Sequence, residues 1–179
     1  MMRSVGIVLA VIVLILGGFL GYVTTKPDSF AIERSIQIQA PPEAIFPMIN
    51  DLHLWEKWSP WDKMDPAMKR SYTGSEMGTG AIYEWEGNKK VGKGRMEIVE
   101  SNAPNNIGIK LDFISPFEAH NMTEFIIESA DNVTTTVTWK MTGPNPFMSK
   151  LMQTFMDMDK MIGKDFETGL ASLKALSEE

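Results

Sequence analysis

No charged residue interrupts the chain from Val5 to Val23 (VGIVLAVIVLILGGFLGYV). As a helix this stretch covers about 28 Å at 1.5 Å per residue, close to the roughly 30 Å hydrocarbon core of a bilayer. It predicts an N-terminal membrane anchor over residues 1–25, with residues 5–23 in the bilayer. The rival is a cleaved signal peptide, whose apolar run would be about 7–15 residues and end in a small-x-small site. No such site stands out near Gly21-Tyr22-Val23-Thr24, so a retained anchor is preferred. The polar stretch Thr24–Ser29, with a linker at 26–29, reaches at most about 20 Å and holds the domain after it close to the membrane.

From Phe30 the pattern changes to alternation. Phe30, Ile32, Ile36 and Ile38 share one parity, and Glu33, Ser35 and Gln37 the other, which predicts a half-buried strand. Arg34 is an oddity on the apolar parity. Pro41-Pro42 ends the strand, and Glu43–Asp51 reads as a short helix with Ile45, Phe46 and Ile49 inward. A Trp- and Pro-rich segment comes next and is expected to be a loop. Strands then come in quick succession: a weak one at Met68–Thr73, then inward series at Ala81/Tyr83/Trp85, Gly94/Met96/Ile98, Ile107/Ile109/Leu111/Phe113, Asn121/Thr123/Phe125/Ile127 and Val133/Thr135/Val137/Trp139/Met141. Short connections, including turns at Gly87-Asn88 and Asp131-Asn132, imply an antiparallel sheet with one covered face. Gly78-Thr79-Gly80 and Gly92-Lys93-Gly94 read as hairpin glycines.

After Gly143-Pro144-Asn145-Pro146, one long helix is expected over Phe147–Leu176. Leu151, Phe155, Met158, Ile162, Phe166, Leu170 and Leu173 recur at spacings of three and four, while Lys150, Asp157, Lys160 and Lys164 fall on the opposite arc. The order is strand, short helices, about six strands, long helix. That is an α+β architecture, a sheet of six to seven strands under one helix, making a single domain over residues 30–179.

Composition narrows the chemistry. At 179 residues with no cysteine, the chain has no thiolate nucleophile, iron–sulfur centre or disulfide framework, and its size requires none. The formal charge of -6 weighs against nucleic acid and anionic headgroups as partners. The two histidines, His53 and His120, are too few and too separated for a zinc set, so no metal or cofactor is expected. Arg3 ahead of the apolar stretch gives a faint bias toward a single-pass orientation with the domain outside the cytoplasm. Asn121-Met122-Thr123 and Asn132-Val133-Thr134 fit the glycosylation sequon but sit in or beside strands.

Ala40-Pro41-Pro42-Glu43-Ala44-Ile45-Phe46 after the first strand, and Trp58-Ser59-Pro60-Trp61 after the short helix, resemble the START/Bet v 1-like (SRPBCC) superfamily. The nearest branch is the bacterial polyketide cyclase/dehydrase-like proteins, many of which carry an N-terminal membrane helix. The Gly-Pro-Asn, Phe-Met and Met-Asp-Met-Asp-Lys-Met stretches between Gly143 and Met161 match it too, so the resemblance covers roughly Phe30–Leu176. It implies a helix-grip fold, a curved antiparallel sheet gripping the C-terminal helix with a cavity between. Fold does not assign activity here, because the superfamily hosts binders, transporters and cyclases.

Candidate pocket residues are weighed against plainer roles. Trp58 and Trp61 form either a pocket lip or a plug under the core, the plug being favoured. Tyr83, Trp85, Leu111, Phe113, Asn121, Thr123, Phe125 and Trp139 lie on inward strand parities and suit a cavity wall. Met152, Phe155 and Met156 widen the helix's apolar arc, as adaptable pocket lining or ordinary core. Asp159 lies at the margin of that arc, as a polar anchor in the pocket or as one half of a salt bridge. The expected function is a membrane-tethered binding protein for a small hydrophobic or amphipathic, lipid- or polyketide-like ligand. The alternatives are a cyclase/dehydratase-type enzyme, with Asp159, Arg34, His120 and Tyr83 as acid/base candidates, and an interaction module at the membrane. A binder is favoured over an enzyme, and no residue is assigned as catalytic.

Overall fold

The computed structural model describes residues 2–129, 131 and 133–179, with side chains from residue 5 onward. Asn132, expected in a turn and at the head of a sequon, lies outside the described residues. The elements run α1 (Met2–Thr24), β1 (Ser29–Ile38), α2 (Pro42–Asn50), a 3-10 turn (Leu52–Leu54), α3 (Trp55–Trp58), α4 (Pro60–Met64), β2 (Lys69–Gly74), β3 (Ala81–Glu86), β4 (Lys93–Asn102), β5 (Asn106–Ser115), β6 (Ala119–Ser129), β7 (Thr135–Pro144), α5 (Phe147–Met152) and α6 (Met158–Ser177). The chain forms two compact units, one of Met1–Phe30 with Pro144–Met158 and one of Ala31–Gly143 with Asp159–Glu179.

The larger unit is the helix-grip body. Its seven strands lie in the order β1-β7-β6-β5-β4-β3-β2, so consecutive strands from β2 to β7 are neighbours and β1 closes beside β7. Register keeps the inward series facing one another: Tyr83 pairs with Met96, Met96 with Leu111, Leu111 with Asn121, and Thr123 with Met141. Register shifts at Lys93/Gly94 and Ile98/Glu100 interrupt the β4–β5 ladder, and such bulges bend a sheet. The alternation read from the sequence is seen in burial, for example in β7, where Thr135, Val137, Trp139 and Met141 are buried. Val133, counted with that series, is exposed and precedes the strand.

Short helices cover the middle of the inner face. Pro42 starts α2, where its missing N–H costs nothing, and Ile45, Phe46 and Ile49 are buried as expected. The Trp-rich segment is not a loop. It winds into the 3-10 turn, α3 and α4, with Asp51 capping the first through His53 N (2.9 Å) and Pro60 opening the last. On α6, Phe166, Leu170 and Leu173 bury the stripe predicted for them.

The expected single helix over 147–176 is instead two. Beyond α5 the chain turns at Gln153–Met156, and α6 restarts at Met158. Local polar bonds compete with the helix there: Thr154 Oγ1 donates back to Lys150 O (3.0 Å), and Gln153 exchanges amide bonds with Asn145 (3.0 and 3.2 Å). Asp159 then falls in the first turn of α6, where a carboxylate is favourable.

The smaller unit joins α1 to α5. Val5–Thr24 has a mean hydropathy of 2.6 and is exposed along almost all of its length, Val23 being buried near its end, so this helix is long and apolar enough to cross a membrane. Lys150, expected on a solvent-facing arc, is buried and pairs with Asp28.

Candidate functional site

The inner face of the sheet in the larger unit divides into a packed half and a more open half. In the packed half, Trp139 stacks on Phe166 at 4.2 Å and lies 4.8 Å from Phe125, while Trp55 and Trp58 stand 4.7 Å apart and meet Trp139 edge-on. Trp58 and Phe125 are fully buried, so Trp58 is a plug in the core rather than a lip, and it offers no surface to a partner. Trp61 is half-buried against Trp139 and Phe166. Indole N–H groups need acceptors when buried: Trp55 donates to Ile49 O and Trp58 to Met48 O, each at 2.9 Å. Trp139 Nε1 has no acceptor among the described residues.

The more open half runs over β2–β6. Tyr72 stacks on Tyr83 at 5.1 Å, Tyr83 on Trp85 at 5.9 Å, and Trp85 meets Phe113 edge-on at 5.9 Å. Leu111 and Phe113 remain half-buried although they face inward, while Asn121 and Thr123 are buried. Buried in β6, Asn121 is not presented for glycosylation. Tyr83 Oη and Thr123 Oγ1 join Trp139 Nε1 as buried polar atoms with no hydrogen-bond partner among the described residues. Leaving such an atom unpaired costs about 1–3 kcal/mol, so each is a place where a bound group would be welcome.

A charged pair borders the open half. Arg70 Nε donates to Asp62 Oδ1 at 2.8 Å, with Asp62 buried on α4 and Arg70 largely covered on β2. Burial pushes the Tyr83 phenol well above its usual range; the Asp62 carboxylate adds to this, and Arg70 pulls back a little. Burial works against the Arg70 charge, but the Asp62 carboxylate outweighs it and holds the guanidinium protonated. The sequence reading missed both residues. Arg70 shares the inward parity of Tyr72 in a strand that read as weak, whereas Asp62 lies on a helix too short to show any period.

Asp159 and Arg34 meet, but at the helix margin and not in a pocket. Arg34 donates to both Asp159 carboxylate oxygens (3.2 and 2.9 Å) and through Nε to Glu167 (2.9 Å). The Asp159 side chain is 59% exposed, and the Arg34 hydrogen bond holds its carboxyl below the usual carboxylate value. Gly163 makes this possible, because a Cβ there would collide with the Arg34 guanidinium. His120 is on the outer parity of β6, exposed, with Nδ1 2.7 Å from Asp112. That bond raises the imidazole above its usual value. The four acid/base candidates are therefore dispersed: Arg34 with Asp159, His120 with Asp112, and Tyr83 on the inner face. Met152, Phe155 and Met156 belong to the smaller unit. At the β2–β4 edge, an open depression of about 240 Å3 is lined by Lys69, Arg70, Glu84, Trp85, Glu86 and Lys93 among others, a more polar set than the apolar chamber expected.

A family model described as "Polyketide cyclase / dehydrase and lipid transport" matches residues 29–178. Among solved structures, the chain is similar to protein CV1439 from Chromobacterium violaceum (15% identity, 86% of this chain and 99% of that one, TM-score 0.57). It is likewise similar to the Aha1 dimer from Colwellia psychrerythraea (17%, 83% and 96%, 0.57) and to protein jhp0584 from Helicobacter pylori (11%, 83% and 88%, 0.63). At these identities the likeness carries the fold alone. No curated protein matches the chain.

Proposed function

The chain belongs to the polyketide cyclase / dehydrase and lipid transport family, and from that premise we propose that it is a membrane-tethered binding protein for a small amphipathic ligand. The ligand lies on the more open half of the inner face, against Tyr83, Trp85, Leu111, Phe113, Asn121 and Thr123. One observation carries this reading: Tyr83 Oη and Thr123 Oγ1 are buried on that half without hydrogen-bond partners among the described residues. Both hydroxyls can donate a hydrogen bond, so the complementary ligand is mostly apolar and carries acceptor oxygens. Lipid carbonyls, quinones and polyketides have that chemistry. The tether is α1, and Arg3 ahead of it favours the orientation that leaves the domain outside the cytoplasm. Its retention is supported by the contact of Phe155 with Phe19 on α1, which cleavage near residue 24 would remove.

Tyr83→Phe tests the reading, because it deletes one unpartnered hydroxyl and little else. Without ligand the variant melts close to the parent temperature, since Arg70 is the hydroxyl's polar neighbour but no hydrogen bond of ordinary geometry is lost. With a fatty acid, a quinone or an aromatic polyketide as probe, the variant binds about five- to tenfold more weakly, the scale of one hydrogen bond. Equal affinity for every probe, or no binding by the parent, overturns the assignment. A cyclase- or dehydratase-type reaction is the second reading, favoured by the Asp62–Arg70 pair beside the Tyr83 phenol.

A further inference from the structure

Exposed large apolar residues such as Met77, Val99 and Met122 are scattered singly. Phe147, Met148, Phe155 and Met156 are not: they crowd one short segment and are 44, 60, 74 and 42% exposed. That segment is tied to the end of α1. Asn145 Nδ2 donates to Pro27 O (3.0 Å), Asn145 N to Asp28 O (2.7 Å), Lys26 Nζ to Gln153 O (3.2 Å), and Lys150 pairs with Asp28. The Phe155 ring lies 5.9 Å from that of Phe19. Phe19 is about 7 Å short of Thr24 along the helix at 1.5 Å per residue. A ring beside it is at acyl-chain depth when α1 spans a bilayer.

We propose that residues 146–156 are a second membrane element, an interfacial foothold that buries Phe147, Met148, Phe155 and Met156 in the lipid beside α1. The occupant of this apolar surface is the bilayer and not a second copy or another protein. The surface continues that of α1 through the Phe19–Phe155 contact, and the polar ties named above all run to the residues that leave the span. Tyr22, exposed near the helix end with Lys26 6.0 Å from its ring centre, marks the same headgroup level. An amphipathic segment there sinks roughly 5–10 Å into the interface.

This inference rests on α1 being a membrane span, and the test separates the two. The chain has no cysteine, so single substitutions Leu14→Cys, Met148→Cys, Met156→Cys and Ser71→Cys can each carry one environment-sensitive fluorophore. The full chain is reconstituted in phosphatidylcholine vesicles whose acyl chains bear a spin-label quencher at a shallow or a deep position. Deep lipid quenches the label at 14, shallow lipid removes most of the blue-shifted emission at 148 and 156, and the label at 71 stays aqueous. Quenching at 14 with aqueous emission at both 148 and 156 overturns the foothold and leaves the tether standing. Aqueous emission at 14 overturns the tether, and the foothold with it.

Discussion

Asp159 and Asp165 lie on one helix, yet their surroundings push them in opposite directions. Asp159 is held below the ordinary value by its hydrogen bond to Arg34, so its contribution to stability is present above pH 3.8 and is lost as pH falls through its lowered value. Asp165 is raised by burial, which the neighbouring Lys164 only partly offsets. Its ionised form therefore penalises the fold above its raised value, and the penalty vanishes below pH 3.8. Thermal melts across pH should show Asp159→Asn below the parent and Asp165→Asn above it at neutral pH, both differences closing in acid. Parallel profiles for all three proteins would contradict these assignments. Helical angle alone marked Asp159 as anomalous, and strand parity marked Arg34. The sequence could name Arg34 as a possible partner for Asp159, but the geometry of the pair was not legible, because it depends on where β1 meets α6 and on the space that Gly163 leaves. No periodicity carries that information. For Tyr83 and Thr123, parity gave the inward placement, while the lack of partners emerges only from three-dimensional packing.

At the scale of elements, β1 and α6 are joined through Arg34 lying over Gly163. Gly163→Ala adds helix propensity worth up to about 1 kcal/mol, but its methyl must displace the guanidinium and release Asp159. The two effects separate in a double-mutant cycle. Asp159→Asn should lower the melting temperature of the parent more than that of the Gly163→Ala protein, where only the first-turn placement of the carboxylate is left to lose; an equal loss in both backgrounds would show that Arg34 keeps its place. The strands were readable because alternation over a half-buried sheet is a strong pattern, and β3, β5 and β6 follow it. The α5–α6 break was not, because apolar residues continue at helical spacing on both sides of it. Asn145 and Gln153, whose amides pair across the turn, look like ordinary loop and helix residues until the chain brings them together. Likewise the rings of Trp55, Trp58 and Trp61 announced burial or a rim, but not the short helices that carry them.

For the molecule as a whole, an apolar N-terminal helix is joined to a helix-grip body whose inner face holds buried hydroxyls without partners among the described residues. The family and its fold were legible from the Pro41-Pro42 and Trp58–Trp61 stretches together with element order, and the match over residues 29–178 bears them out. The ligand was not legible, since wall residues of a binding surface and of a closed core have the same apolar alternation. Native mass spectrometry of the full-length chain, released gently from detergent micelles, tests the central claim most directly. A ligand-binding protein of this kind gives a mass above that of the polypeptide, an excess that organic extraction removes and that an added quinone, fatty acid or polyketide restores. A bare polypeptide mass that none of these probes increases would contradict it.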